Sequence, residues 1–581
     1  MSNPRRLRAR PDDDRWNTRP VRARVLAVVR TLTSATRVLE VLAPLRELDG
    51  IGFAVTVNPG SAFTAGLDDH LRAQPGLTVL PWREAVRQRF DLAVACAVHA
   101  SMHRLRAPLV VLPHGAGYNR LVPESTGDTV TAAGLSRHEL THRGRVFPAV
   151  IGLSHREQFD RLRAACPEAL PRAREVGDPC FDRMLGGLGA RDGHRTALGA
   201  VDGRRLVVVT STWSGHSLLG RHPGLPLRLV EQLPADEYTV AAVLHPNVWA
   251  RHDLRALLAP AERRGLRLVP PDRGWQAALI AADCVIGDHG SVSFYAAALE
   301  RRTLLVATGA AELDPRSPTY AFGRAAPALD PDGDLLTQLE RAAAEQDPAA
   351  LRPVTDRSLG RRGESARILR EIFLSYLPGI EAPPGDPLPL PHPRPVPLAA
   401  ERPTAYDVVA TGEGTAIHLR RYPVGPGRPT ARGFLAVADD EPSPVLRRTA
   451  DVLARTGSDT EQPAEAWLAA TAGAAELPRL TVAVAALGPD HHLLRLPGGL
   501  LLEARADRPW GTPVPRLDPL LLGSAVAHWL TTPAATPTAL PHRTLTLHTG
   551  PRRTSISFTT RPGHPDGPAI HRPTGPSYGQ S

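Results

Sequence analysis

Three histidines stand where apolar runs end. His114 follows Val110-Val111-Leu112-Pro113 and precedes Gly115-Ala116-Gly117. His245 follows Ala242-Val243-Leu244 and precedes Pro246-Asn247. His289 lies in the polar turn Asp288-His289-Gly290-Ser291, between the run Cys284-Val285-Ile286 and an Ala-rich segment. Imidazole ordinarily titrates near neutrality, so it suits proton transfer. A single histidine at such a place is more often structural, and Asp288 is equally suited to capping the helix that follows. Three histidines at strand ends in two halves of one chain are harder to dismiss. Strand, small polar turn and helix together point free backbone N–H groups at an anion, and the anion expected here is a phosphate.

The elements around these residues alternate. Arg24–Arg30, Gly52–Val57, Leu77–Pro81, Asp91–Cys96, Pro108–Pro113 and Val146–Leu153 read as strands, most of them separated by helical stretches. Ser154 is placed to cap a helix beginning at His155. After a break at Gly177-Asp178-Pro179 and a polar, Gly-rich passage to about Arg204, a second series begins. Its strands are Arg205–Thr210, Tyr238–Leu244, Leu266–Val269, Cys284–Ile286 and Thr303–Ala307, closed by a helix near Glu364–Leu377. Strands that are apolar throughout and alternate with helices imply parallel sheets covered on both faces. The expectation is therefore an α/β fold of two doubly wound, Rossmann-like domains, 23–200 and 201–377, enclosing a cleft at the carboxyl ends of their strands. Residues 378–403 form an extended, semi-rigid linker carrying eight prolines from Pro383 to Pro397. A small α+β accessory domain is expected over 404–560, with a hairpin around Pro497-Gly498-Gly499 and a helix over Asp518–Leu530. Its sequence shows no chemical motif. Residues 1–22 and 561–581 read as disordered.

Composition narrows the class. A chain of 581 residues should hold two to four domains, and a hydrophobic fraction of 42% supports ordinary cores. The formal net charge is +10, and none of the 69 basic residues is a lysine, a coding bias toward GC-rich codons that weakens any argument from the isoelectric point. The Arg-rich start, Arg5 to Arg24, reads as a solvated tail or as a peripheral contact with an anionic membrane. No aromatic–basic interleaving speaks for nucleic acid. Cys96, Cys166, Cys180 and Cys284 lack C-x-x-C spacing, which argues for reduced thiols, a cytoplasmic setting and no structural zinc. The first residues contain no apolar leader, and no run is long enough to span a bilayer.

At this level the chain resembles the CDP-glycerol glycerophosphotransferases of teichoic acid synthesis, a family of GT-B fold. The resemblance rests on His114-Gly115, on Gly177-Asp178-Pro179-Cys180-Phe181-Asp182, on Thr212-Trp213, on His245-Pro246, and on Asp288 with Ser291. It covers roughly residues 25 to 375. Two departures stand out: Ser214 replaces an arginine suited to gripping phosphate, and His289-Gly290 replaces Tyr-Ser. The resemblance implies a donor of nucleotide-activated glycerol or sugar and a polymer acceptor, with no cofactor and no metal. It implies His114 as the base for the acceptor hydroxyl and His245, with Pro246, against the donor phosphate. Gly115, Thr212, His289, Gly290 and Ser291 would line the substrate site, Ser291 and the helix behind it taking the pyrophosphate. Asp288 would orient His289 or hold a donor hydroxyl. Two other readings stay open: a UDP-N-acetylhexosamine 2-epimerase, which shares the two-lobed fold, and a non-catalytic descendant that binds a nucleotide or a partner.

Overall fold

The computed structural model describes residues 20–561 apart from 62–66, 75–76, 252, 399–400, 427–432, 458–461, 473, 475, 508–516 and 534. The disorder expected at 1–22 and 561–581 falls almost wholly outside the described residues.

The first lobe carries β1 (Ala23–Val29), β2 (Ile51–Val57), β3 (Thr78–Leu80), β4 (Leu92–Ala95) and β5 (Leu109–Val111). A hairpin of β6 (Thr141–His142) and β7 (Arg145–Val146) follows, then β8 (Val150–Leu153) and β9 (Ala173–Glu175). Seven of these form one sheet in the order β3-β2-β1-β4-β5-β8-β9, parallel throughout. The second lobe has β10 (Arg205–Ser211), β11 (Tyr238–Leu244), β12 (Arg267–Val269), β13 (Cys284–Gly287) and β14 (Arg302–Leu305), ordered β12-β11-β10-β13-β14, also parallel. Every residue of β11 and β13 is buried, as strands covered on both faces require. Two doubly wound lobes facing a cleft make a GT-B-like arrangement.

Several local expectations change. Val146–Leu153 is not one strand: Val146 pairs in the β6–β7 hairpin and β8 begins at Val150. Pro148 separates them, since it lacks the N–H a ladder needs. Ser154 caps no helix. Its hydroxyl accepts from Gln158 Nε2 at 2.7 Å, and the helix starts later, as Glu157–Ala165. The Gly-rich passage holds two helices, Pro179–Gly186 and Arg191–Ala197, the first capped by Asp178. The late helix Ser365–Leu374 packs back on the first lobe, with Leu369 and Phe373 in one core with Val25, Val38 and Leu42. An amphipathic helix settles on whichever apolar face accepts it, and sequence order does not say which.

The Pro-rich linker passes from the first lobe to the second. The Pro391 carbonyl accepts from Arg183 Nε at 2.7 Å, and the Leu398 carbonyl accepts from Arg267 at 2.9 Å. Beyond it, β15 (Ala405–Thr411), β16 (Ala416–Pro423), β17 (Phe434–Ala438), β18 (Val452–Arg455), β19 (Val482–Ala486), β20 (His491–Arg495), β21 (Leu501–Asp507), β22 (Thr544–Thr549) and β23 (Arg552–Thr560) close into a mixed barrel. Its core is plugged by the helix Pro519–Leu530, whose residues from Leu520 to Ala527 are all buried, as is Trp529. A helix apolar all round belongs in such a place. The barrel is fixed to the second lobe by Arg421, which makes a bidentate pair with Asp236 at 2.8 and 2.9 Å and reaches Asp518 at 2.6 Å. Among the described residues no helix is long and apolar enough to cross a membrane.

Candidate functional site

The carboxyl ends of β5, β10, β11, β13 and β14 converge where the lobes meet, the place an open parallel sheet offers a ligand. His114 lies beyond β5 and His245 directly after β11, where Pro246 opens the helix Pro246–Arg251. The His114 ring is open to the cleft, but the protein packed around it pushes its pKa down to about 4. Arg37 and Arg120 push the same way, and a hydrogen bond with the Cys96 backbone opposes them. Burial pushes His245 down to about 3, with contributions from His114 and Arg120, so the two rings sense each other across the cleft. Both are neutral at pH 7. The Asn247 N–H donates to His245 Nδ1 at 3.1 Å, so the neutral ring carries its proton on Nε2.

The turn after β13 presses against the loop after β5. Ser291, first in the helix Ser291–Ala298, accepts from the Ala116 N–H at 3.3 Å. A Cβ on Gly115 would lie 2.5 Å from the Ser291 hydroxyl, so the lobes approach this closely only over a glycine. Ser291, expected to face a pyrophosphate, is thus engaged by the opposite lobe in this conformation. Gly290 caps the same helix and donates its N–H to Asp288.

Asp288 does not face the cleft. It is fully buried and accepts from the N–H groups of Thr212 at 2.9 Å, Leu218 at 2.8 Å and Gly290 at 3.0 Å. Burial raises its pKa, opposed by His289 and these backbone donors. Its work is to tie the loop 212–218 to the turn 288–290. Thr212 contributes its backbone to that tie.

His289 points elsewhere. Its Nε2 meets Glu312 Oε2 at 3.0 Å, its Nδ1 is buried without a partner, and its ring lies against the backbone of Gly309, which has φ 57°. Glu312 had no place in the sequence reading, yet three groups converge on one of its oxygens. Besides His289 they are the Ser214 hydroxyl at 3.0 Å and Arg120 Nη2 at 2.8 Å, the last from the first lobe. Desolvation would raise the Glu312 pKa, but these partners lower it to about 2. Arg120 also stacks over the Trp213 ring at 3.9 Å. Ser214 sits at φ 112°, a strained conformation for a residue with a side chain. Backbone bonds complete the seam: Leu121 N–H to Glu312 O at 2.8 Å, and Asp314 N–H to Asn119 O at 2.9 Å.

A second seam lies deeper. Arg37 donates to Asp178 at 3.2 Å and to the Tyr295 hydroxyl at 2.9 Å, while that hydroxyl donates to Asp178 at 2.5 Å. Arg37, Arg120, Tyr295 and Glu312 escaped sequence reasoning because each gains its meaning from a partner far along the chain. The one local hint is Arg37, a charge on the buried face of a helix beside Val38 and Val41.

A cavity of about 640 Å³ lies away from this cleft, between the barrel and the second lobe. Arg421, Arg402 and Arg552 on its wall are paired with Asp236, Asp518 and Asp202. The converging strand ends and histidines place the candidate site at the cleft instead. Among the described residues no group of three or more His, Cys, Asp or Glu could hold a metal ion.

No family model matches the chain, and no curated protein matches it. Solved structures do. The wall teichoic acid polymerase TagF is 14% identical with a TM-score of 0.43, the match covering 61% of this chain and 89% of that one. The UDP-GlcNAc 2-epimerase of Neisseria meningitidis is 13% identical with a TM-score of 0.37, covering 61% of this chain and 100% of that one. The corresponding enzyme of Methanocaldococcus jannaschii is 11% identical with a TM-score of 0.38, covering 60% and 99%.

Proposed function

We propose that the chain is a GT-B-type transferase that moves a glycerophosphoryl or glycosyl group from a nucleotide-activated donor to a polymer hydroxyl. The observation that carries this reading is the pairing of two neutral imidazoles, His114 and His245, at strand ends on opposite walls of one cleft. An acceptor hydroxyl needs a base. A hydrogen bond with the Cys96 backbone orients the His114 ring, and the other nitrogen would take the proton. A pKa near 4 makes a poor base at neutral pH, but a donor phosphate placed beside the ring would favour its charged form and raise that value. His245 offers its Nε2–H to the phosphate. The acceptor oxygen bonds to phosphorus or to the anomeric carbon, and the bond from that atom to the nucleotide oxygen breaks. The proton passes to His114, and the nucleotide leaves carrying the electron pair. Thr212, Pro246, Gly290 and Ser291 shape the wall around this point, and Asp288 holds that wall in place.

The test is turnover of CDP-glycerol, CDP-ribitol and common UDP- and GDP-sugars, with and without acceptor. Turnover by the natural chain should fall about 100-fold or more in His114→Ala and in His245→Ala. Wild-type rates in both variants would overturn the mechanism, and conversion of UDP-N-acetylglucosamine without any acceptor would indicate epimerisation instead.

A further inference from the structure

Glu312 is held as a bound anion is held. One of its carboxylate oxygens receives a guanidinium N–H, a hydroxyl and an imidazole nitrogen, all within 2.8 to 3.0 Å. These donors come from both lobes, and nothing in the local sequence around Glu312 requires them to meet there. Arg120 is braced on Trp213, Ser214 is kept in a strained backbone, and His289 is buried to 3% exposure with its second nitrogen unpartnered. Three ordered donors at one point, maintained against strain, are an anion site. The carboxylate in it belongs to the short turn Ala310–Glu312, which follows β14. Solvent still reaches the pair, the Arg120 and Glu312 side chains being 22% and 17% exposed.

We propose that Glu312 stands in for a phosphoryl oxygen of the ligand: a phosphate or diphosphate group takes over Arg120, Ser214 and His289, and Glu312 leaves them. The exchange rests on the cleft being a donor-phosphate site. It also accounts for Ser214. The resemblance places an arginine there, and a guanidinium instead reaches the same spot from Arg120 on the opposite lobe. An internal carboxylate that must be displaced lowers apparent affinity by the fraction of molecules in which it is already displaced. Glu312 therefore sets how strongly an anion must bind to enter, and its departure removes the carboxylate–guanidinium tie to Arg120 between the lobes.

Inorganic pyrophosphate, titrated by calorimetry, reads this directly and needs no turnover. Glu312→Gln, which keeps the side chain's size and removes its charge, should bind pyrophosphate about tenfold more tightly than the natural chain. Adding Arg120→Met to that variant should abolish the gain. In case Glu312→Gln does not fold, Glu312→Ala, which also removes the internal carboxylate, should likewise bind pyrophosphate more tightly than the natural chain. Equal or weaker binding by a folded Glu312→Gln or Glu312→Ala overturns the proposal. If pyrophosphate behaves as expected while no donor in the panel is turned over, the anion exchange stands and the transferase reading fails.

Discussion

Arg37 and Tyr295 are 258 residues apart in sequence, and Arg37 Nη2 donates to the Tyr295 hydroxyl at 2.9 Å. One side chain comes from the first helix of the first lobe and the other from the helix behind the 288–290 turn. Asp178, at the junction between the lobes, bonds to both. The three form a buried ionic knot beneath the cleft floor.

That knot predicts unequal costs. Arg37→Met leaves the Asp178 carboxylate buried without its cation and should cost about 3–5 kcal/mol. Tyr295→Phe removes one hydroxyl and should cost about 1–3 kcal/mol. Urea unfolding of both variants measures the difference, and equal small losses would mean that the knot does not hold the lobes.

Stability should fall in acid through His245. Its folded pKa is pushed from 6.5 to about 3 by burial, His114 and Arg120. Between those values the unfolded chain binds a proton that the native ring refuses, so stability is retained above pH 6.5 and lost as pH falls toward 3. The slope from this group alone is on the order of 1 kcal/mol per pH unit. His245→Gln should flatten that part of the curve of urea midpoint against pH, and parallel curves would refute it.

The barrel should loosen with Arg421. Its guanidinium is buried between Asp236 of the second lobe and Asp518 at the start of the central helix. Against the cost of burial, Arg421 and Arg402 hold the Asp518 carboxyl down at about 2. Arg421→Met strands the Asp236 carboxylate, leaves Asp518 with Arg402 alone, and should cost about 3 kcal/mol. Asp518→Asn keeps a capping oxygen for the helix and should cost less. Calorimetry should show the barrel melting earlier in both, with the larger shift in Arg421→Met.

Most of the fold was legible because parallel strands buried on both faces must be apolar throughout. The runs that end at Val29, Val57, Leu244 and Gly287 identify themselves in that way. The turn at 288–291 was likewise visible, as a short polar break between an apolar run and an Ala-rich helical segment. The barrel was not legible. Its strands mix parallel and antiparallel neighbours, which side-chain alternation does not encode. Nor could the sequence say that Ser365–Leu374 would return to the first lobe.

By itself, then, the sequence determined where most strands of the two lobes end, and so which histidines follow a strand. The tertiary structure alone decided what each side chain near that cleft meets. Asp288, in a turn that could face a ligand, is spent on three backbone N–H groups. Glu312, in a loop with no motif, receives Arg120, Ser214 and His289. The reason is physical: apolar periodicity is a local property that burial imposes on each element, whereas a charge is satisfied by whatever partner the packed lobes bring within about 3 Å.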